Sequence, residues 1–221
     1  MDEVPAPPRV KICGITNLED AELAAGLGAW ALGLIFFEGS PRRCTMTEAQ
    51  RISSALRRKV DLCGVFVNAS LDEVAGRSEQ LGLTLLQLHG DEGPAFCAEA
   101  ARRTGARVIK AVQLRSAGDL QALAPFHTDF HMVDGHARGL YGGTGHPVDW
   151  SVVGRRRSDV PLILSGGLTP DNVGEGIEVA KPFAVDTASG TEAEPGRKDP
   201  AKLEAFFAAV RATASDKEHA A

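Results

Sequence analysis

The stretch Val10-Lys11-Ile12-Cys13-Gly14-Ile15-Thr16-Asn17 decides how the rest of the chain is read. An apolar run broken by one lysine stops at a glycine, and Asn17 stands where a helix N-cap belongs. The helix it starts spans residues 18–27 and ends at Gly28. This strand–turn–helix unit recurs. Strand-like runs occupy residues 10–15, 31–37, 62–67, 83–89, 106–114, 130–134, 162–165 and 183–187. Helix starts fall near Thr47, Ser70, Gly93, Ser116, Asp149 and Thr169, with Pro170 suited to the first helical position. The last helix, residues 200–213, carries Leu203, Phe206, Phe207 and Val210 at helical spacing.

Most of the strand runs are continuously apolar rather than alternating, as parallel strands covered on both faces should be. Eight such units of roughly 25 residues predict an α/β fold, a compact single-domain (β/α)8 TIM barrel. A doubly wound open sheet is the structural alternative. No linker divides the chain. Residues 1–9 read as an extension, 10–213 as the barrel, and 214–221 as a flexible polar tail.

Composition narrows the function. The chain has 221 residues, 43% hydrophobic and 24% charged, enough for one globular domain with its own core. A net charge of −5 argues against a nucleic-acid partner or a polybasic membrane surface. It leaves a phosphorylated small molecule open, since backbone N–H groups at helix N-termini suffice to bind phosphate. Cys13, Cys44, Cys63 and Cys97 show no C-x-x-C spacing, so neither zinc nor another metal is expected. Cys63 and Cys97 read as core, and Cys44 as a loop thiol open to solvent. The N-terminus lacks the apolar core of a signal peptide, and residues 31–37 are too short to cross a bilayer. The expectation is a cytoplasmic protein with reduced thiols and no membrane contact.

In a barrel, sites are built where the strands end at their C-terminal face. That rule gathers scattered residues into one constellation. Cys13 ends the first strand and could attack, bind metal or move a proton. Asp134 ends the sixth and could act as a general acid or cap a turn. Arg42 follows the second and could grip a carboxylate through its planar fork. His89 ends the fourth. Asp186 lies in the eighth among apolar residues, and a buried carboxylate there implies a ligand or a basic partner such as Lys11. Ser165-Gly166-Gly167 follows the seventh strand, and Ser189-Gly190-Thr191 follows the eighth. Glycines in these two loops point to phosphate on the backbone. The loop Gly139–Gly145 matches neither a dinucleotide fingerprint nor a P-loop and reads as a segment able to close on a ligand. Arg155-Arg156-Arg157 reads as a solvated helix end.

Taken in order, VKICGIT, GLIFFEGSPR, GVFVN, LQLHGDE, IKAV, YGGTG with VDW, LILSGGLTPDNV and VDTASGTE resemble the phosphoribosylanthranilate isomerase family of tryptophan biosynthesis over nearly the whole chain. The resemblance implies a cofactor-free, metal-free (β/α)8 barrel, monomeric or homodimeric. Its reaction is an aldose–ketose isomerisation, the Amadori rearrangement of N-(5-phosphoribosyl)anthranilate to 1-(o-carboxyphenylamino)-1-deoxyribulose 5-phosphate. By the same resemblance Cys13 matches the base and Asp134 the acid. Arg42 matches the anthranilate-binding arginine, His89 and Asp186 match further site residues, and phosphate falls on Gly143, Gly166, Gly167, Ser189 and Gly190. The chain departs from the family pattern at Cys44, Gly135, His146 and Thr187-Ala188. A related barrel isomerase of histidine biosynthesis, which uses two aspartates, is the enzymatic alternative, and Cys13 argues against it. A non-catalytic barrel that binds a sugar phosphate is the alternative of another class.

Overall fold

A computed structural model describes residues 6–135 and 150–218. Eight parallel strands close into a barrel: β1 (Arg9–Cys13), β2 (Ala31–Ile35), β3 (Asp61–Phe66), β4 (Leu85–Leu88), β5 (Arg107–Leu114), β6 (Phe130–Gly135), β7 (Leu162–Leu164) and β8 (Ala184–Thr187). Each strand pairs with its neighbour in sequence, and β1 closes the ring on β8. The helices between them are α1 (Leu18–Gly26), α2 (Met46–Leu56), α3 (Leu71–Leu81), α4 (Pro94–Thr104), α5 (Ala117–Gln121), α6 (Trp150–Val153) and α7 (Val173–Ala180), and α8 (Pro200–Glu218) follows β8.

Local chemistry explains the starts and stops. Asn17, Thr45 and Ser70 each accept a backbone N–H in the first turn of α1, α2 and α3. Gly82 and Gly105 end α3 and α4 in the left-handed conformation that glycine adopts without penalty.

Strand side chains alternate between two buried environments. Ile12, Leu32, Leu34, Leu62, Leu86 and Val185 pack outward against the helices. Cys13, Cys63, Leu85, Ile109, Met132 and Ile163 belong to a separate cluster inside the barrel. Both faces are dry, so the runs read as continuous apolar strands. At the N-terminal mouth, Trp30, Phe130 and Phe183 pack ring to ring at 5.2–5.5 Å. Arg9 and Arg107 lie over those rings, 5.1 Å from Phe183 and 5.6 Å from Phe130. This plug covers the barrel end opposite the predicted site.

Several expectations need correction. Pro170 is not the first helical residue: Asn172 Oδ1 accepts the N–H of Thr169 at 2.8 Å, and this local turn delays α7 to Val173. Helix α8 runs to Glu218 rather than ending at 213, because residues 212–217 contain no stop signal. Cys44 is buried at 2% exposure, its N–H bonded to Ile35 O, which pulls the loop onto the sheet. Arg156 is not simply solvated: it donates to His131 Nδ1 at 2.9 Å and to Val160 O at 2.8 Å. Two short strands were not expected, β9 (Glu192–Glu194) and β10 (Arg197–Lys198), which form a hairpin between β8 and α8.

Candidate active site

The C-terminal ends of the strands surround a cleft with about 670 Å³ of empty space, its open mouth included. Cys13, Arg42, His89, Asp134, Gly166, Gly167, Asp186 and Ser189 all line it. These residues come from six different strand ends, so closure of the barrel alone brings them together. Gly190 stands directly behind Ser189 but does not line the cleft. Gly143 and His146 lie outside the described residues.

Cys13 is buried on β1 beside Gly33 of β2, its partner in register. A Cβ at Gly33 would lie 2.7 Å from Cys13 Sγ, so the glycine makes room for the thiol. Burial pushes the thiol up from its ordinary value. Lys11 and Lys198 pull it back down, and Asp186 pushes it further up. Lys11 and Asp186 face each other across β1 and β8, with Nζ 2.7 Å from Oδ1 and both side chains buried. Ser165 donates to Asp186 Oδ2 at 2.9 Å, so both carboxylate oxygens are engaged. The pairing anticipated for Lys11 is therefore present, and it lies next to the thiol.

Asp134 sits at 3% exposure with its Oδ2 3.4 Å from His89 Nε2. Gln87 Nε2 donates to His89 Nδ1 at 2.9 Å, which leaves the ring proton on Nε2, the nitrogen facing Asp134. Gln87 Oε1 and His89 Nε2 are buried with no hydrogen-bond partner among the described residues, and both residues line the cleft. A ligand has polar groups waiting for it there.

Below this rim, Glu92 and Lys110 form a second buried pair at 3.1 Å. Glu92 also accepts the N–H groups of Asn68 and Gly90, and Lys110 donates to Gly90 O, so the turn after His89 is tied down from beneath.

The glycine loops are built for close approach. Gly166 and Gly167 adopt φ +93 and +68, and neither N–H has a hydrogen-bond partner among the described residues. A Cβ on Gly166 would stand 1.9 Å from Gly135 N, and one on Gly190 would stand 1.9 Å from Leu168 O. Thr187 Oγ1 donates to Leu168 O at 2.8 Å and so joins the two loops. That hydroxyl is a structural use for one of the chain's departures from the family pattern.

Arg42 meets a residue the sequence reading missed. Its Nε and Nη2 donate to the carboxylate of Glu192 at 2.8–2.9 Å. Lys198 and Gln87 were missed as well. The Pro195-Gly196 pair flanked by charged residues is a turn signal that could have revealed the hairpin. Nothing local in the sequence announces that Glu192 folds back onto Arg42.

The model of the N-(5′-phosphoribosyl)anthranilate (PRA) isomerase family matches residues 10–209. The chain belongs to the phosphoribosylanthranilate isomerase family. The N-(5′-phosphoribosyl)anthranilate isomerase of Citrifermentans bemidjiense is 43% identical over 203 residues, 92% of this chain and 97% of that one. The crystal structure of the Thermotoga maritima phosphoribosylanthranilate isomerase superposes with a TM-score of 0.83 at 38% identity, covering 93% of this chain and 99% of that one. A further isomerase structure, solved with reduced 1-(o-carboxyphenylamino)-1-deoxyribulose 5-phosphate, has a TM-score of 0.80 at 36% identity, with 93% and 99% coverage. The protein is thus a barrel isomerase of tryptophan biosynthesis, as the motifs implied. Among the described residues, no helix of this isomerase is long and apolar enough to cross a membrane.

Proposed function

We propose that this isomerase converts N-(5-phosphoribosyl)anthranilate to 1-(o-carboxyphenylamino)-1-deoxyribulose 5-phosphate by acid–base catalysis, with Asp134 as acid and Cys13 as base. One observation carries the reading: a carboxyl, a thiol, an arginine fork and two glycine loops line a single cleft. No cofactor takes part. The phosphate rests on the loops of Gly166, Gly167, Ser189 and Gly190. The substrate carboxylate meets Arg42, and His89 and Asp186 complete the wall.

Asp134, entering as the neutral acid, protonates the furanose ring oxygen while the C1–O bond breaks. The anthranilate nitrogen supplies the electron pair and becomes an iminium. His89 Nε2–H faces the carboxylate that Asp134 then carries. The iminium acidifies the proton on C2, and the Cys13 thiolate removes it. The C2–H electron pair forms the C1–C2 double bond while the C1–N π pair returns to nitrogen, which gives a neutral enolamine. Tautomerisation of that enol to the ketone completes the rearrangement. Cys13 leaves the cycle protonated and Asp134 ionised, and exchange with solvent resets both. Burial pushes the Cys13 thiol up, and the nearby cations Lys11 and Lys198, joined by the iminium once it forms, act in the opposite direction and favour the thiolate. Each proton transfer contributes on the order of 10²–10⁴ in rate.

The test is product formation by Cys13→Ala and Asp134→Ala, alongside binding of the reduced product analogue. Turnover should fall by about 10² or more in each variant while the analogue still binds. Near-normal turnover in either variant would remove that residue from its role.

A further inference from the structure

We propose that Glu192 and Lys198, on the β9–β10 hairpin, are positioning residues that aim the Arg42 fork at the substrate carboxylate and fix its distance from the phosphate loops. This inference rests on the reading of Arg42 above and extends it to residues that do not themselves touch the substrate.

The geometry of the arginine carries the first half. A guanidinium has a side edge, Nε with one terminal nitrogen, and an end edge made of both terminal nitrogens. Glu192 occupies the side edge: Nε donates to Oε1 and Oε2 at 2.9 Å, and Nη2 donates to Oε2 at 2.8 Å. The end edge, Nη1 with the outer N–H of Nη2, has no hydrogen-bond partner among the described residues, while Arg42 lines the cleft. A planar fork held on one edge presents the other in a fixed direction, which suits bidentate capture of a second carboxylate. Gly14 allows this placement, since a Cβ there would lie 2.9 Å from Arg42 Cδ.

The second half is the anchor of Glu192 itself. Its Oε1 also accepts from Lys198 Nζ at 3.3 Å and from Gly196 N at 3.3 Å. Lys198 Nζ donates in turn to Ala188 O at 2.9 Å, and its side chain is fully buried. Ala188 lines the cleft next to Ser189 in the proposed phosphate loop. The hairpin is also held to the loop after Cys13, because Thr16 Oγ1 donates to Gly196 O. One buried carboxylate between two cations leaves the trio with net positive charge, suited to an anionic ligand group. Glu192 and Lys198 thus join the arginine fork to the phosphate loop. The cleft therefore selects ligands whose carboxylate stands at one distance from their phosphate.

The test compares two probes: the reduced product analogue, and its counterpart made from aniline, which lacks the ring carboxylate. The affinity ratio between them measures carboxylate recognition. Arg42→Ala should collapse the ratio. Glu192→Gln should lower it by about tenfold to a hundredfold, the range for hydrogen bonds to charged groups, with binding of the aniline probe unchanged. The KM for substrate should rise by a similar factor while kcat changes little, as expected for lost uniform binding. Lys198→Gln, which leaves Glu192 in place, should lower the ratio in the same direction but by less. A general folding defect would weaken both probes together and would leave the ratio unchanged. If Arg42→Ala collapses the ratio while Glu192→Gln and Lys198→Gln leave it intact, the positioning role is wrong and the clamp stands. If Arg42→Ala itself leaves the ratio intact, the clamp reading fails.

Discussion

Asp186→Leu should leave a buried cation without its partner. The Lys11 ammonium is completely buried, and its hydrogen bond goes to Asp186 Oδ1 at 2.7 Å. Removing one member of such a pair costs about 3–5 kcal/mol, because the remaining charge stays desolvated. In a chain of 221 residues, where each kcal/mol shifts Tm by about 2–4 °C, Tm should fall by about 6–20 °C. The double variant Lys11→Met/Asp186→Leu removes both charges at similar volume, and such replacements are often neutral or stabilising. It should recover most of the loss. The hydroxyl of Ser165 loses its acceptor in both variants, so that contribution cancels between them. Urea unfolding of the parent, both single variants and the double variant completes the cycle. Turnover should stay low in the double variant, because Asp186 lines the cleft; stability and activity would separate. The reasoning fails if Asp186→Leu costs less than about 1 kcal/mol, or if the double variant is no more stable than the single.

Three further outcomes are expected. Burial pushes the thiols of Cys44 and Cys63 up to about 12 and that of Cys97 to about 11, from an ordinary value near 9. The folded chain keeps these protons after the unfolded chain has released them. Their contribution is therefore complete below pH 9 and declines as pH rises through the window from 9 to 11, by about 1.4 kcal/mol per pH unit for each thiol. Urea midpoints at pH 8 and pH 10 should show the decline, and Cys63→Ala should make it shallower; equal slopes in parent and variant would contradict the assignment. Gly166→Ala should raise the KM for substrate by about tenfold or more, since a left-handed φ of +93 costs about 1–2 kcal/mol for any other residue and its Cβ would meet Gly135 N. Gly174→Ala in α7, with 3.9 Å of clearance, should be neutral or stabilise by about 0.5–1 kcal/mol, and a KM change there would argue against a specific role for Gly166.

The sequence by itself determined the architecture and much of the rim. Periodicity, N-caps and glycine stops are local properties, and they placed eight strands within two residues of where each begins and ends. Once the barrel was inferred, the rule that strand C-termini share one face was enough to gather Cys13, Arg42, His89, Asp134, Asp186 and the two glycine loops. Local signals misled where a side chain competed with the expected pattern: Asn172 captured the turn that Pro170 was expected to begin, and Cys44 was drawn beneath its loop.

Tertiary structure alone decided what meets Arg42. Its partner Glu192 is 150 residues away, whereas the pairing of Asp186 with Lys11, 175 residues away, is expected from two opposite charges buried in barrel strands. A residue type and its neighbours in sequence carry no record of a partner such as Glu192, because that pairing follows from a hairpin folding back onto another loop. Barrel closure sets the thiol's field. In the sequence Cys13 is a thiol at a strand end with three possible roles, but in the fold it is a desolvated group among two cations and one anion. Its chemistry follows from that surrounding charge, which acts through space rather than along the chain.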